Sequence, residues 1–250
     1  MSDFEKFNYV CEGQISLFNA VEKKEYESAR VAVNRKKDII KSIESISGKY
    51  SAYEVFTDWI RCCSLAISNS CQLIHNPIWQ EREQMYIDTM KKYTLEERQK
   101  FTEMFHMLAE TLEAETTDVL GQIYMEAGMG SKAAGQFFTP YHLSKMCASL
   151  SVDLDENEKC ILNEPSCGGG GMIIATAAVL KEKGINYQRA MKVVAQDLDW
   201  KSVYMCYLQL SLLGISAECV QGDTLCDPYI PGTTQASHIL YTPARMGVLL

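Results

Sequence analysis

The sequence predicts an α/β protein in two parts: a helical N-terminal domain over residues 1–130 and, over residues 131–250, an open sheet of about four parallel strands with crossover helices. Three observations carry this. The first part has a single proline, Pro77, and its apolar residues recur at helical spacing. Beyond residue 130, strand-like and helix-like runs alternate, as they do in a parallel sheet linked by helices. Finally, the apolar run Cys160-Ile161-Leu162 leads into Asn163-Glu164-Pro165-Ser166-Cys167-Gly168-Gly169-Gly170-Gly171-Met172 and then a helical run, Ile173 to Leu180. An acid at a strand end, a glycine loop and a helix start are how an α/β fold receives a nucleotide-like ligand, against bare main chain and near the positive end of a helix.

The elements follow in order. Ser51 with Glu54, and Thr94 with Glu97, fit capping boxes, in which hydroxyl and carboxylate satisfy orphan amides at a helix start. Val55, Trp59, Cys62, Cys63, Ala66 and Ile67 form one amphipathic stripe; Phe101, Met104, Phe105, Leu108 and Leu112 form another. Asn76-Pro77 separates two helices. Gly128 to Ser131 marks the linker between the two parts. Thr139 then caps a helix with Pro140 at its first position, and this helix, Tyr141 to Leu150, turns Leu143, Met146, Cys147 and Leu150 inward. Strands are expected at Cys160–Asn163, Met191–Gln196, Glu218–Gln221 and His238–Tyr241, and further helices at Gly171–Lys183 and Trp200–Leu213. Gly184 and Gly214 follow those two helices as C-terminal caps.

Composition narrows the function. The chain is 47% hydrophobic and 22% charged, ordinary for a globular protein. No apolar run approaches the roughly 18–20 residues that span a bilayer; Val203 to Ile215, with Gln209 and Ser211 inside it, reads as a buried helix. The N-terminus does not read as a secretory signal. None of the ten cysteines forms a C-x-x-C pair, so no metal is expected and the thiols are read as reduced, in a cytoplasmic protein. The net charge of −8 argues against a chain that grips DNA alone. Its one basic cluster, Arg30, Arg35, Lys36, Lys37 and Lys41, reads as a solvated helix face or as a phosphate-contacting strip.

Four segments form a candidate ligand site: Gln136-Phe137-Phe138-Thr139-Pro140, the glycine loop with Glu164, Ser166, Cys167, Gly168, Gly169 and Gly170, then Asp197 with Leu198, and Asp223. Singly each has a plain reading, as a helix start, a flexible turn, a surface acid and a turn aspartate. In series, at the ends of successive strands, they outline a nucleoside pocket with Asp197 placed for ribose hydroxyls and Asp223 for an adenine amino group. The loop is not G-x-G-x-x-G, which disfavours NAD, and it lacks the Gly-Lys-Ser/Thr of a phosphate-binding Walker loop.

Taken together, GQFFTP, NEPSCGGGGM, AQDLD and QGDTL resemble the S-adenosylmethionine-binding half of adenine-N6 DNA methyltransferases, most of all the methylation subunits of type I restriction–modification systems. The resemblance implies a partial Rossmann-like methyltransferase sheet. It implies that Gln136 to Pro140 enclose S-adenosylmethionine, that Glu164 to Gly170 cradle its methionine moiety, and that Asp197 with Leu198 and Asp223 hold the ribose and adenine. Asp118 to Tyr124 resembles the closing helix of that family's N-terminal domain.

The family also carries N/D/S-P-P-Y/F/W after the next strand, where a polar side chain and a proline carbonyl accept hydrogen bonds from the target amine and the aromatic ring stacks on the flipped base. Here that slot reads Tyr241-Thr242-Pro243-Ala244-Arg245. Only Thr242 and Pro243 stand as weak catalytic candidates, and a hydroxyl is a poorer acceptor than an amide or carboxylate oxygen. Asp227-Pro228-Tyr229 looks like the motif but follows Asp223 too closely and reads as a loop. Family members continue past the point where this sequence ends at Leu250, into further strands and a DNA-recognition region. The expectation is therefore a cofactor-binding protein with impaired catalysis. Its alternatives are an active methylase that reaches DNA through a partner subunit, and a non-catalytic interaction module. The exposed edge of the last strand is expected to be covered by a protein partner, by self-association or by the N-terminal helices.

Overall fold

A computed structural model describes residues 34–129, 138–152, 154 and 159–248. Gln136, Phe137, Arg30 and part of the expected linker lie outside them. The N-terminal part is helical: α1 over residues 34–46, α2 (Ala52–Ser70), α3 (Pro77–Met90), α4 (Leu95–Ala114) and α5 (Val119–Glu126). Ser51 caps α2 by accepting from the Glu54 amide, Asn76 caps α3 with Pro77 in its first turn, and Thr94 and Glu97 form a reciprocal capping box on α4. Trp59 is fully buried and donates its indole N–H to the Phe101 carbonyl at 3.1 Å, binding α2 to α4.

The second part runs α6 (Tyr141–Ser151), β1 (Cys160–Glu164), α7 (Gly171–Glu182), α8 (Tyr187–Ala190), β2 (Met191–Asp197), α9 (Trp200–Leu212), β3 (Ser216–Gln221) and β4 (Ile239–Tyr241). One apolar core runs from α1, α2 and α4 through α9 to the sheet. Helix α9 sits in its middle and is buried along nearly its whole length, as the apolar run from Val203 predicted. Gly184 and Gly214, both at positive φ, close α7 and α9.

The sheet has the order β1-β2-β3-β4. Strands β1, β2 and β3 are parallel, with Cys160 opposite Met191 and Lys192 opposite Ser216. The expectation of four parallel strands fails at the last one: β4 is antiparallel to β3, pairing Val220 with Ile239 and Glu218 with Tyr241. A parallel return needs a crossover, usually a helix, across the sheet. The segment after β3 contains only turns and a short 3-10 turn, Ala236–His238, so the chain folds straight back.

Because the strand order never reverses, crossovers of the usual right hand put α7 and α9 on the same face. On the opposite face Ile161 is 82% exposed, Lys192 is exposed, and Glu218 pairs with Arg245 at 2.8 Å. The N-terminal helices reach β4 through Arg82 of α3, which donates to the Ile239 carbonyl at 2.8 Å.

Two other expectations are corrected. Helix α6 buries Ser144 and Ala148, whereas Leu143, Met146, Cys147 and Leu150 face outward. Its neighbour α7 presents Ala175 and Val179, against which Ala148 packs, and only small residues fit so close a helix pair. Thr139 does not cap α6; Pro140 takes the cap position without a side-chain bond, its carbonyl accepting from Leu143 and Ser144. Of the basic cluster, Arg35 pairs with Glu110, Lys41 with Asp38, and Lys36 is buried on the Gln122 side-chain oxygen.

Candidate functional site

The glycine loop joins β1 to α7 at the C-terminal edge of the sheet. The Cys167 amide donates to the Gln196 carbonyl at 2.9 Å, and the Gly168 amide to an Asp197 carboxylate oxygen at 2.9 Å, so the end of β2 holds the loop. Gly168 and Gly170 have φ of 52° and 91°. A Cβ on Gly168 would lie 2.9 Å from the Phe138 ring, and one on Gly170 would lie 3.2 Å from the Cys206 sulfur. No side chain caps α7, and its first residues, Gly171 and Met172, line a cavity of about 330 Å³ together with Gly168, Phe138, Asp118 and Asp197. This is within the usual size range of a small-molecule site.

Asp118 is the main residue that the sequence reading passed over. It caps α5 and is 3% exposed. One of its oxygens accepts from the Gly121 amide and from the Gln209 side-chain amide, each at 2.9 Å. Gln209 also donates to the Gly169 carbonyl at 2.8 Å and accepts from the Leu120 amide at 3.0 Å. The N-terminal helices and the glycine loop thus meet on one buried amide of α9. Burial pushes the Asp118 carboxyl above its usual range; the bonds from Gln209 and Gly121 and the charge of Lys36 oppose the rise. No ion pair to Asp118 exists among the described residues; Lys36 acts on it without contact, and the carboxylate lines the cavity. The legible signal was an Asp before an apolar run with Gly three residues on: a Cβ at Gly121 would lie 2.1 Å from the carboxylate. The Ser144 hydroxyl is buried at the same cavity without a partner. A buried carboxylate, an unpartnered hydroxyl and uncapped helix amides match a small ligand that carries both an ammonium and an anionic or polar end.

The other expected residues fall into two groups. Phe138, Thr139, Ser166, Cys167, Gly168, Gly169 and Asp197 line the cavity, and Gly170 shapes it from behind. Pro140 stands at the start of α6 beside it. Glu164 ends β1 half-buried and accepts from the Ser166 amide at 3.4 Å; burial, then the charge of Asp197, raises its carboxyl. Leu198 is 67% exposed. Asp223 caps its own turn, accepting from the Leu225 and Cys226 amides at 2.9 and 3.2 Å, which lower its pKa. That turn is tied to the loop by the Thr224 hydroxyl, which donates to the Pro165 carbonyl at 2.6 Å.

Thr242 is elsewhere. It is fully buried; its hydroxyl donates to the Ile215 carbonyl at 2.7 Å and accepts from the Ala217 amide at 2.9 Å. Those residues lie at the start of β3, whereas the glycine loop lies beyond the ends of β1 and β2. Antiparallel β4 has carried Thr242 and Pro243 to the opposite end of the sheet. Thr242→Val, which leaves the Ala217 amide unpaired, is expected to cost about 1–3 kcal/mol of stability in chemical denaturation. It is expected to leave ligand binding at the loop unchanged.

A parallel βαβ unit whose glycine loop is pinned by an acid at the end of the next strand, under a cavity closed by a preceding helical segment, defines a methyltransferase-like α/β protein. The profile of the N-6 DNA methylase family matches residues 115–244, more than half of the chain, and the chain belongs to that family. A solved protein from Listeria monocytogenes, described as a class I S-adenosylmethionine-dependent methyltransferase, is similar at 10% identity over 74% of this chain and 52% of its own, with a TM-score of 0.40. The chain therefore spans about half the length of that protein. No curated protein matches it. No described helix is long and apolar enough to cross a membrane, and no metal-binding group occurs among the described residues.

Proposed function

We propose that this chain binds S-adenosylmethionine at the glycine loop and is impaired in methyl transfer, as a relative of the methylation subunits of type I restriction–modification systems. One observation carries the impairment: the hydroxyl of Thr242, the candidate for the acceptor slot, is engaged within the sheet at the end away from the loop. The bound cofactor would supply an electrophilic methyl group. The chain's residues would position it: Asp118 opposite its ammonium, the leading amides of α7 and Ser144 toward its carboxylate, Phe138 over the loop, and Asp197 toward the ribose while it still holds the Gly168 amide. Residues 1–130 act in this reading as a helical domain closing the cofactor domain, 131–250. The unpaired described cysteines support a reducing, cytoplasmic setting.

Calorimetric titration with S-adenosylmethionine is expected to give saturable heat, and a radiolabel assay on mixed duplex DNA to show no transfer by the chain alone. Absence of heat at millimolar cofactor removes the binding reading; transfer by the purified chain removes the impairment. A second reading is an active methylase that reaches DNA through a partner subunit. The open sheet face at Ile161 and the position of β1 at the end of the strand order among the described residues favour it, since both are surfaces that a second protein could complete.

A further inference from the structure

We propose a second ligand site, for a small phosphate-bearing anion, in the cavity bounded by α2, α3, the start of α9 and the Ser237-His238 turn before β4. The cavity measures about 340 Å³ and shares no lining residue with the one at the glycine loop. Two guanidinium groups, of Arg61 and Arg82, line it beside Trp200, Tyr204, Ser237 and His238.

Arg82 is only 8% exposed. It donates to the Ser68 hydroxyl at 3.0 Å and to the Ile239 carbonyl at 2.8 Å, both neutral acceptors. Among the described residues it has no ion pair. A buried cation bonded only to neutral groups is unfavourable, and desolvation draws its pKa down, the charge of nearby Glu81 opposing this. Arg61 uses one terminal nitrogen on Asp58 and on Thr89, while its buried Nε has no partner. Each guanidinium carries five donors in a planar fork, so both retain donors for an oxyanion. Two guanidiniums on one cavity, from α2 and α3, suit a tetrahedral phosphate, which presents three oxygens; a carboxylate is satisfied by one fork.

A small ligand fits best, since Arg82 is only 8% exposed and offers little surface to a backbone phosphate on a nucleic-acid duplex. Trp200 and Tyr204 stack at 5.1 Å, and His238 meets the Trp200 ring edge-on at 6.2 Å, forming an aromatic wall beside the cations. The one carboxylate among the lining residues, Glu81, is exposed and can turn to water. The inference stands independently of cofactor binding at the loop.

The test is titration of the cofactor-free chain with inorganic phosphate, phenyl phosphate and acetate at constant ionic strength, followed by tryptophan fluorescence and thermal melting. Both phosphates are expected to give a saturable fluorescence change and a rise in Tm, and acetate to give neither. Arg82→Gln is expected to abolish the response. Because Arg82 also anchors β4, Arg61→Gln serves as the second variant; it leaves Asp58 its contacts with Lys92 and Tyr93 and is expected to weaken phosphate about tenfold. No saturable response to either phosphate, an equal response to acetate, or unchanged affinity in Arg61→Gln overturns the proposal. A response to phenyl phosphate stronger than to inorganic phosphate assigns the aromatic wall to an organic monoester; equal responses assign the site to phosphate itself.

Discussion

Gly168→Ala is expected to weaken cofactor binding severely while the chain remains folded. At φ 52° an alanine is strained by about 1–3 kcal/mol. Its Cβ would also lie 2.9 and 3.1 Å from two carbons of the Phe138 ring. Phe138 is packed edge-on against Tyr124, with ring centroids 5.1 Å apart, so retreat of the ring disturbs the cavity wall. If the loop yields instead, the bond from the Gly168 amide to Asp197 is lost, and a hydrogen bond to a charged group is worth about 1.5–3 kcal/mol. Either route distorts the surface on which the ligand lies, and affinity is expected to fall by about a hundredfold or more, since each 1.4 kcal/mol is a factor of ten. Titration calorimetry reads the affinity and urea denaturation the stability. Near-native affinity in a folded variant would place the ligand elsewhere.

Asp118→Asn is expected to separate stability from binding. An asparagine oxygen can still accept from Gly121 and Gln209, so the geometry survives and only the charge goes. Burial raises the native carboxyl above its value in the unfolded chain, so the folded protein binds this proton more tightly. The stability associated with that proton is present below the unfolded pKa and is lost as pH rises through the native one. At neutral pH the variant is therefore expected to be more stable than the wild type, with the difference vanishing in acid.

Binding moves the other way. A ligand ammonium needs the ionised carboxylate, so wild-type affinity is expected to fall as pH drops through the raised Asp118 pKa. In the variant, affinity is expected to be about ten- to a hundredfold weaker at neutral pH, and this acid loss is expected to disappear. Glu164, also raised, stands at the end of β1 and remains in the variant as an internal control. Calorimetric titrations of both proteins across the acid range decide it. A wild-type pH profile retained in the variant would assign the proton to Glu164 instead.

Much of the fold was legible in single residues. Ser51, Asn76 and Thr94 started helices because their side chains satisfy amides that nothing else in the local chain can reach. Strands β1, β2 and β3 came within two residues of their expected starts and one of their expected ends, because apolar runs bounded by turn residues have few alternatives. Helix α6 was placed but rotated wrongly: its larger apolar residues looked like a buried stripe, and the close approach to α7 selected Ser144 and Ala148 instead. Asp223 was read as a ligand group, and the structure adds a second role: one of its oxygens accepts from the amides of its own turn.

By itself, the sequence determined the glycine loop, its place between a strand and a helix, and an acid at the end of the next strand, because each depends on backbone angles or on local apolar runs; the bond from the Gly168 amide to Asp197 came from the structure. The tertiary structure alone decided which charges share the cavity and which way the last strand runs. Asp118 and Gln209 are far apart in sequence and meet only because α9 is clasped between the N-terminal helices and the sheet. The direction of β4 depends on whether a crossover forms after β3, and it moves Thr242 from one end of the sheet to the other. Local preference fixes a loop's shape; long-range packing fixes what stands opposite it.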